Sequence, residues 1–233
     1  EDGSKAHYSV EVRTEGTYVN TILADGPAGY WPLYETSGTA AADLGISGLA
    51  GTYDAANVLS LAGPGTSDGF LGFTGAPQYA VGLAGNATPS PVVVPALNLT
   101  GNNVTILCWI NPDVIPQADR TGLFTCTGPS TSSGLRFNSG TAAGSGLALV
   151  WNNTLQNLTP PDALTVPANQ WSFAAATVTP TLATIYLGTT NNGLQSGIIS
   201  GSFVNQPFSS PGLIGSDRNT GGRYFQGRMA HVA

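Results

Sequence analysis

The stretch Asn169-Gln170-Trp171-Ser172-Phe173-Ala174-Ala175-Ala176-Thr177 is followed, after a short connection, by Thr184-Ile185-Tyr186-Leu187-Gly188. In the first stretch bulky and small residues alternate imperfectly, which is typical of a strand buried on both faces between two sheets. The second stretch has strand length and ends in glycine, so we expect it to return as the hairpin partner of the first. The two stretches together predict a buried β-hairpin within a sandwich of sheets.

Apolar runs of strand length recur on both sides of this hairpin. Turn residues, mainly Gly, Asn and Pro, separate the runs, and no apolar repeat of 3.6 residues is sustained. This pattern predicts an all-β sandwich rather than a helical or α/β fold. The predicted strands are 104–110, 121–127, 146–151, 170–178, 182–187 and 223–232.

Three further segments interrupt the strand pattern. Residues 84–95 and 127–146 are rich in Gly, Ser, Thr and Pro, and we predict both as long loops. Residues 18–29 end in Asp-Gly-Pro and are predicted to form one short helical turn in a connector.

Length and composition exclude several classes of protein. The 233 residues are enough for one large β-sandwich with a sizeable core. Only 9% of residues are charged, against about 25% in typical soluble domains, so the surface is polar but nearly uncharged. Seven basic residues and a net charge of −6 argue against nucleic-acid binding. No apolar run approaches the roughly 18 residues that a membrane span needs.

Several segments match, in order, the pattern of a known family. They are residues 29–38, Leu71-Gly72-Phe73-Thr74-Gly75, residues 104–112, residues 169–177, and Ile214-Gly215 followed by Arg223-Tyr224-Phe225-Gln226-Gly227-Arg228. Over about residues 18–233 the chain resembles the laminin-G-like, concanavalin-A-like jellyroll domains of large secreted proteins. The resemblance implies a two-sheet antiparallel jellyroll sandwich over residues 17–233, with an extra N-terminal strand or arm.

Both ends of the chain differ from a self-contained jellyroll. Tyr8-Ser9-Val10-Glu11-Val12-Arg13 alternates with the strand period, so residues 1–16 are either the last strand of a preceding immunoglobulin-like domain or a simple N-terminal arm. The chain begins at Glu1 without a Met or a leader, as in a fragment or a processed product. At the other end, Gly227-Arg228-Met229-Ala230-His231 lacks the acidic pair of the family, so either the chain is cut short or its last strand comes from elsewhere.

The two cysteines lie in Leu107-Cys108-Trp109 and Thr125-Cys126, within two predicted strands. If these strands form a hairpin centred near Gln117, Cys108 lies opposite Cys126 on one face. The pair is then either a disulfide or two buried thiols, because a free cysteine behaves as a small core residue. No Cys-x-x-Cys or Cys/His cluster supports metal or redox chemistry.

The acidic and basic residues do not form a pattern typical of catalysis. Glycoside hydrolases place two carboxylates close together, commonly on one strand, whereas the aspartates here are scattered among turns. His7 and His231 are the two histidines, and no Gly-x-Ser-x-Gly elbow accompanies them. We therefore expect that the chain is not an enzyme, and a glycoside hydrolase is the least favoured function.

Calcium is the cofactor that the sequence permits. Related domains often bind one calcium ion at a loop rim, and the candidate oxygen ligands here are Asp43, Asp68 and Asp217. Asp68 and Asp217 lie beside glycine or serine, and Asp43 lies two residues before Gly45, so the same residues are equally suited to capping turns.

Aromatic side chains are the candidates for sugar contact. Trp109 and Trp171 belong to core strand patterns and should be buried. Trp151, before Asn152-Asn153, is the better candidate for exposure, and Tyr224 is a second candidate ligand residue. Five Asn-x-Ser/Thr patterns permit glycosylation, although about three would occur by chance in so Asn- and Thr-rich a chain. They begin at Asn86, Asn98, Asn103, Asn152 and Asn157.

Together these features predict a secreted or cell-surface, non-catalytic adhesion module that binds a glycan or an extracellular protein. The alternative is a structural subunit of an extracellular fibre or surface layer, in which strands pair between copies of the chain. Low charge favours this alternative because it weakens the repulsion between copies.

Overall fold

The computed structural model describes residues 17–74, 78–127, 132–139, 144–152, 155–160, 164–217 and 222–233. These residues form an α-helix, α1 (Thr17–Ala24), two short 3₁₀ helices (Thr66–Asp68 and Gly85–Ala87) and seventeen β-strands. The predicted N-terminal strand within residues 1–16 lies outside the described residues. The strands are β1 (Ala40–Ala41), β2 (Gly51–Thr52), β3 (Val58–Ala62), β4 (Tyr79–Ala84), β5 (Val92–Val94), β6 (Leu99–Gly101), β7 (Val104–Pro112), β8 (Gly122–Thr127), β9 (Ser132–Phe137), β10 (Leu147–Trp151), β11 (Leu155–Leu158), β12 (Ser172–Val178), β13 (Leu182–Thr189), β14 (Gly193–Ser200), β15 (Gln206–Phe208), β16 (Gly212–Ile214) and β17 (Gln226–Ala230).

Two large antiparallel sheets face each other. The eight-stranded sheet has the order β1-β2-β5-β16-β8-β9-β10-β11, and the seven-stranded sheet has the order β14-β13-β12-β7-β17-β4-β3. A small third sheet pairs β15 with β6. The prediction of an all-β, two-sheet antiparallel jellyroll sandwich is confirmed.

The predicted hairpin of β12 and β13 lies inside the seven-stranded sheet. Ala175 pairs with Tyr186 of β13 on one side and with Leu107 of β7 on the other. Ala174, Ala176 and Val178 point into the core between the sheets. The predicted strand is therefore paired on both edges, as expected for a strand buried between two layers.

The C-terminal strand is not missing a neighbour. β17 pairs with β7 through Met229 and Ile110, and with β4 through Met229 and Val81. β17 is therefore central in its sheet, and the expectation that the chain is cut short or receives its last strand from elsewhere stays a prediction. The edges of that sheet are β14 and β3.

Both predicted loops contain a strand. Residues 84–95 include a 3₁₀ helix and β5, which pairs with β16 and β2, so the prediction of a continuous loop there is wrong. Within residues 127–146, β9 lies between β8 and β10 in the eight-stranded sheet, so the prediction of a continuous loop there is wrong. Leu135 and Phe137 of β9 point into the core, whereas its first half, Ser132-Ser133-Gly134, has the composition of a turn. The helical turn predicted within residues 18–29 is present and is longer than expected, as the eight-residue helix α1.

Helix α1 and the loop after β3 cover part of the outer face of the seven-stranded sheet. Tyr18 of α1 and Phe73 pack against Trp109 of β7, with ring centroids 5.8 Å and 4.9 Å away. Trp109 and Trp171 are buried in this layer, as predicted.

His231 is buried under the same layer. Its Nε2 donates a hydrogen bond to Gln78 Oε1 at 3.1 Å, and its Nδ1 accepts one from the Tyr30 hydroxyl at 2.7 Å. Burial lowers the pKa of His231 to about 3. The imidazole is therefore neutral and acts as a bridge between Tyr30 and Gln78.

This histidine makes folding stability depend on pH. The unfolded chain takes up a proton near pH 6.5 and the folded chain does not, so stability is fully present above pH 6.5 and is lost as the pH falls towards 3. We expect His231 to account for a loss of about 2 kcal/mol between pH 7 and pH 5. The His231→Asn variant, which tolerates the positive φ of 50° at this position, should lose that part of the slope in urea unfolding. An identical slope in the variant and the wild type would contradict this assignment.

Candidate ligand-binding site

The structure places Trp151 in the core rather than on the surface. Its ring lies between Phe203 and Phe208, with centroids 6.3 Å and 6.2 Å away, and its Nε1 donates a hydrogen bond to the Val204 carbonyl at 2.7 Å. The prediction that Trp151 is exposed is wrong, because Trp151 faces inward with Leu149.

Tyr224, the second proposed ligand residue, is also buried. Its backbone N–H donates to the side chain of Asn86, and its own backbone forms a bridge with Ser216. The ring therefore has little exposed surface for a sugar to contact, and the prediction that Tyr224 binds a ligand is wrong.

The three predicted calcium ligands are not brought together. Asp43 accepts hydrogen bonds from the backbone of Tyr30, Gly45 and Leu49 and from the Ser47 hydroxyl, at 2.6–2.9 Å. In the described ranges, no three His, Cys, Asp or Glu side chains form a group that could hold a metal ion.

Asp68 and Asp217 have separate surroundings. Asp68 accepts a hydrogen bond from Gly65 N at the start of a 3₁₀ helix. It therefore caps a turn, which is the alternative to calcium binding that the sequence left open. Asp217 lies three residues after the end of β16 and is completely buried against two arginines.

The two cysteines are free thiols in opposite sheets. Cys108 belongs to β7 and Cys126 to β8, and residues 113–121 cross from one sheet to the other instead of forming a hairpin turn. The predicted hairpin is therefore wrong, and the alternative of two buried thiols is correct. Burial raises the pKa of Cys126 to about 12 and raises the pKa of Cys108 further.

Thiols of this kind should be inert in the folded protein. We expect neither cysteine to react with iodoacetamide at pH 8 under native conditions, because thiolate is needed and the thiols are buried. In urea both should be labelled, with mass spectrometry counting the added groups. Labelling of either thiol in the native protein at the rate seen in urea would contradict their placement.

The candidate glycosylation sites differ in accessibility. Asn86, Asn98 and Asn103 are exposed, whereas Asn152 is half-buried. The side chain of Asn157 lies outside the part of the molecule that is described. Glycosylation at the three exposed positions stays a prediction.

The most unusual polar feature of the molecule lies on the outer face of the eight-stranded sheet. We call it the Arg136–Asp217–Arg223 cluster, after its three charged residues. Asp217 Oδ2 is 2.6 Å from Arg223 Nη1 and 3.3 Å from Arg136 Nη1. Ser132 Oγ is 3.5 Å from Asp217 Oδ1.

The strands explain this arrangement. Arg136 of β9 lies between the inward-facing Leu135 and Phe137, so its side chain points outward. Asp217 follows β16, and Thr125 of the neighbouring β8 donates its hydroxyl hydrogen to the Asp217 and Ser216 carbonyls. The sheet thus brings together residues that are 81 positions apart in the chain.

The cluster is buried to an unusual degree for charged side chains. The side chains of Asp217, Arg136 and Arg223 are 0%, 1% and 17% exposed. Burial lowers the pKa of the Arg136 guanidinium, and Arg120 and Arg223 add to this effect while Asp217 opposes it. In the part of the chain that the structure describes, Nε and Nη2 of Arg136 have no hydrogen-bond partner.

A separate groove of about 790 Å³ runs between the turn after α1 and strands β6 and β7. Its walls include Leu97, Leu99 and Leu107, and Asp25 is the one charged residue among those that line it. The groove therefore offers few directional contacts for a polar ligand.

Comparison with known proteins assigns the family. A laminin G model, described as the concanavalin A-like lectin/glucanases superfamily, matches residues 86–233. The chain belongs to this superfamily. Comparison of this superfamily member with curated protein sequences found no significant match.

Solved structures share the same concanavalin A-like fold at low sequence identity. Domain 4 of AbnA, a GH43 extracellular arabinanase from Geobacillus stearothermophilus solved with arabinotriose, is 15% identical with a TM-score of 0.55, over 88% of this chain and 89% of that domain. Tailspike protein 2 of the Escherichia coli O157:H7 bacteriophage CAB120 is 18% identical with a TM-score of 0.53, over 78% of this chain and 25% of the tailspike. A Trypanosoma rangeli sialidase mutant displaying trans-sialidase activity is 12% identical with a TM-score of 0.53, over 95% of this chain and 33% of the sialidase.

These likenesses establish a fold shared with an arabinanase domain and with parts of a tailspike protein and a sialidase. The chain spans nearly all of the arabinanase domain but a third or less of the tailspike and sialidase chains. Among the described residues, no helix is long and apolar enough to cross a membrane.

Proposed function

We propose that the chain is an extracellular, non-catalytic recognition module that binds carbohydrate at the Arg136–Asp217–Arg223 cluster. The observation that carries the proposal is the pair of buried donors on Arg136, Nε and Nη2, which lack a hydrogen-bond partner among the described residues. Buried donors without partners are costly, so a site that retains them is suited to a ligand that supplies acceptors. Sugars present such oxygen acceptors at close spacing.

The chemistry of the cluster supports binding rather than hydrolysis. Glycoside hydrolysis needs an acid and a second carboxylate about 5–10 Å apart. Asp217 is the single carboxylate of the cluster, and it pairs with two arginines instead of facing a second carboxylate. The shared fold of the arabinanase domain that was solved with arabinotriose adds support for a carbohydrate ligand.

The test is a glycan array followed by calorimetry with the best ligand, in calcium and again in a chelator. Arg223→Gln removes the more exposed arginine of the cluster and should weaken binding at least tenfold. Arg228→Gln is the matched control, because Arg228 lies over the Trp171 ring on the other sheet, and its affinity should not change. Equal losses in both variants would overturn the assignment of the site, and release of reducing sugar would overturn the non-catalytic role.

A second candidate function rests on strand β14. It is an eight-residue edge strand without a charged residue, and its Leu194 and Ile198 are exposed. An uncharged edge of this length can pair with the same strand of a second copy, as in a fibre or surface layer. Light scattering should then detect dimers or larger species that Ile198→Lys abolishes, whereas a wild-type monomer at high concentration would rule this function out.

A further inference from the structure

The Arg136–Asp217–Arg223 cluster holds an unbalanced positive charge. Two guanidinium groups share one carboxylate, so the three side chains carry a net charge of +1 while almost fully buried. Arg120, which also acts on Arg136, is paired with Asp119 at 3.7 Å and adds no net charge to the region. Three of the four arginines among the described residues, Arg120, Arg136 and Arg223, interact in this region, although the net charge of the chain is −6.

The unpartnered donors have a defined geometry. Nη1 of Arg136 faces Asp217, and the donors left over are Nε and Nη2, which form one edge of the planar guanidinium. That edge presents two parallel N–H groups, which match the two oxygens of a carboxylate. A neutral hydroxyl could accept one of these hydrogen bonds, but it would leave the buried charge unbalanced.

We infer that the sugar bound at the Arg136–Asp217–Arg223 cluster is an acidic one, whose carboxylate pairs with the Nε and Nη2 edge of Arg136. This inference rests on the proposed function and names its ligand class as uronic or sialic acid units. Arg136 is 1% exposed and Arg223 is 17% exposed, so the sugar ring is placed towards Arg223 and only its carboxylate towards Arg136. The carboxylate brings the cluster to a net charge of zero.

The wild-type protein alone can test this inference. Calorimetry is performed with oligosaccharides of glucuronate, galacturonate and sialate, and with the same oligosaccharides after reduction of their carboxyl groups to alcohols. We expect at least one acidic oligosaccharide to bind tenfold or more tightly than its reduced form, and its affinity to fall as salt is raised.

The possible results separate this inference from the proposed function. Equal affinity for the acidic and reduced forms would overturn the carboxylate and leave the glycan-binding module standing. Tighter binding of sulfated neutral sugars than of any uronate or sialate would likewise overturn it. No binding of any sugar, on this panel or on the array, by protein with a normal melting transition would overturn both.

Variants locate the contact. Arg136→Lys keeps the positive charge but removes the paired donors, so it should abolish the preference for the acidic form over the reduced form. Arg228→Gln removes a cation on the other sheet and should leave that preference intact. If Arg136→Lys fails to fold, the comparison of acidic and reduced ligands on the wild type still decides the question. A folded Arg136→Lys variant with an unchanged preference would contradict the assigned contact.

Discussion

Replacing Asp217 by asparagine is expected to lower the free energy of unfolding by roughly 3–5 kcal/mol, the cost typical of breaking a buried ion pair. The substitution conserves size but leaves Arg136, which is 1% exposed, and Arg223 without a countercharge. Urea unfolding followed by circular dichroism at pH 7 measures the loss directly.

Two controls make the result specific. Asp68→Asn changes an exposed aspartate that caps a 3₁₀ helix, so its cost should stay below about 1 kcal/mol. The double variant Asp217→Asn/Arg136→Met removes both charges of one ion pair. Its loss in the free energy of unfolding should therefore be clearly smaller than the sum of the losses in the two single variants. A loss below about 1 kcal/mol for Asp217→Asn would indicate that the cluster is not a buried ion pair in solution.

Truncating Trp151 to alanine should also cost about 3–5 kcal/mol, because it opens a large cavity in the core. The side chain is completely buried, contacts Phe203 and Phe208, and donates a hydrogen bond to Val204. The milder Trp151→Phe keeps most of the packing but loses the hydrogen bond, for which we expect a loss of about 1–2 kcal/mol.

The same variants separate packing from sugar contact at Trp151. Leu71→Ala, at a side chain that is 80% exposed, should leave the free energy of unfolding within about 0.5 kcal/mol of the wild type. Folded Trp151→Phe should bind sugar as the wild type does. Loss of sugar binding in Trp151→Phe at unchanged stability would restore the ring as a ligand contact.

The sequence predicts correctly the strands that are apolar along their length. β7, β8, β10, β12, β13 and β17 all lie within two or three residues of their predicted bounds, because burial requires such runs. β9 was missed because its first residues, Ser132-Ser133-Gly134, have turn composition and its inward residues come only at Leu135 and Phe137.

Long-range partnerships could not be derived from local pattern. β8 belongs to the eight-stranded sheet because it pairs with β9 and β16. The spacing between β7 and β8 suits a hairpin, but that spacing does not reveal these pairings. The burial of Trp151 depends on Phe203 and Phe208, some fifty residues later in the chain. Arg136, alone among the residues of β9 in carrying a charge and flanked by Leu135 and Phe137, was the one local signal for the cluster.

The central position of β17 has a consequence for the order of folding. The seven-stranded sheet consists of two parts, β3 with β4 and β7 with β12 to β14, and β17 is the strand that hydrogen-bonds to both. A growing chain lacks that strand until residues 226–230 have been synthesised. Pairings between strands so distant in sequence are slow to form, because the intervening chain loses entropy first. We therefore expect the sheet to close late, and nascent chains that stop before β17 should remain open and accessible to proteases.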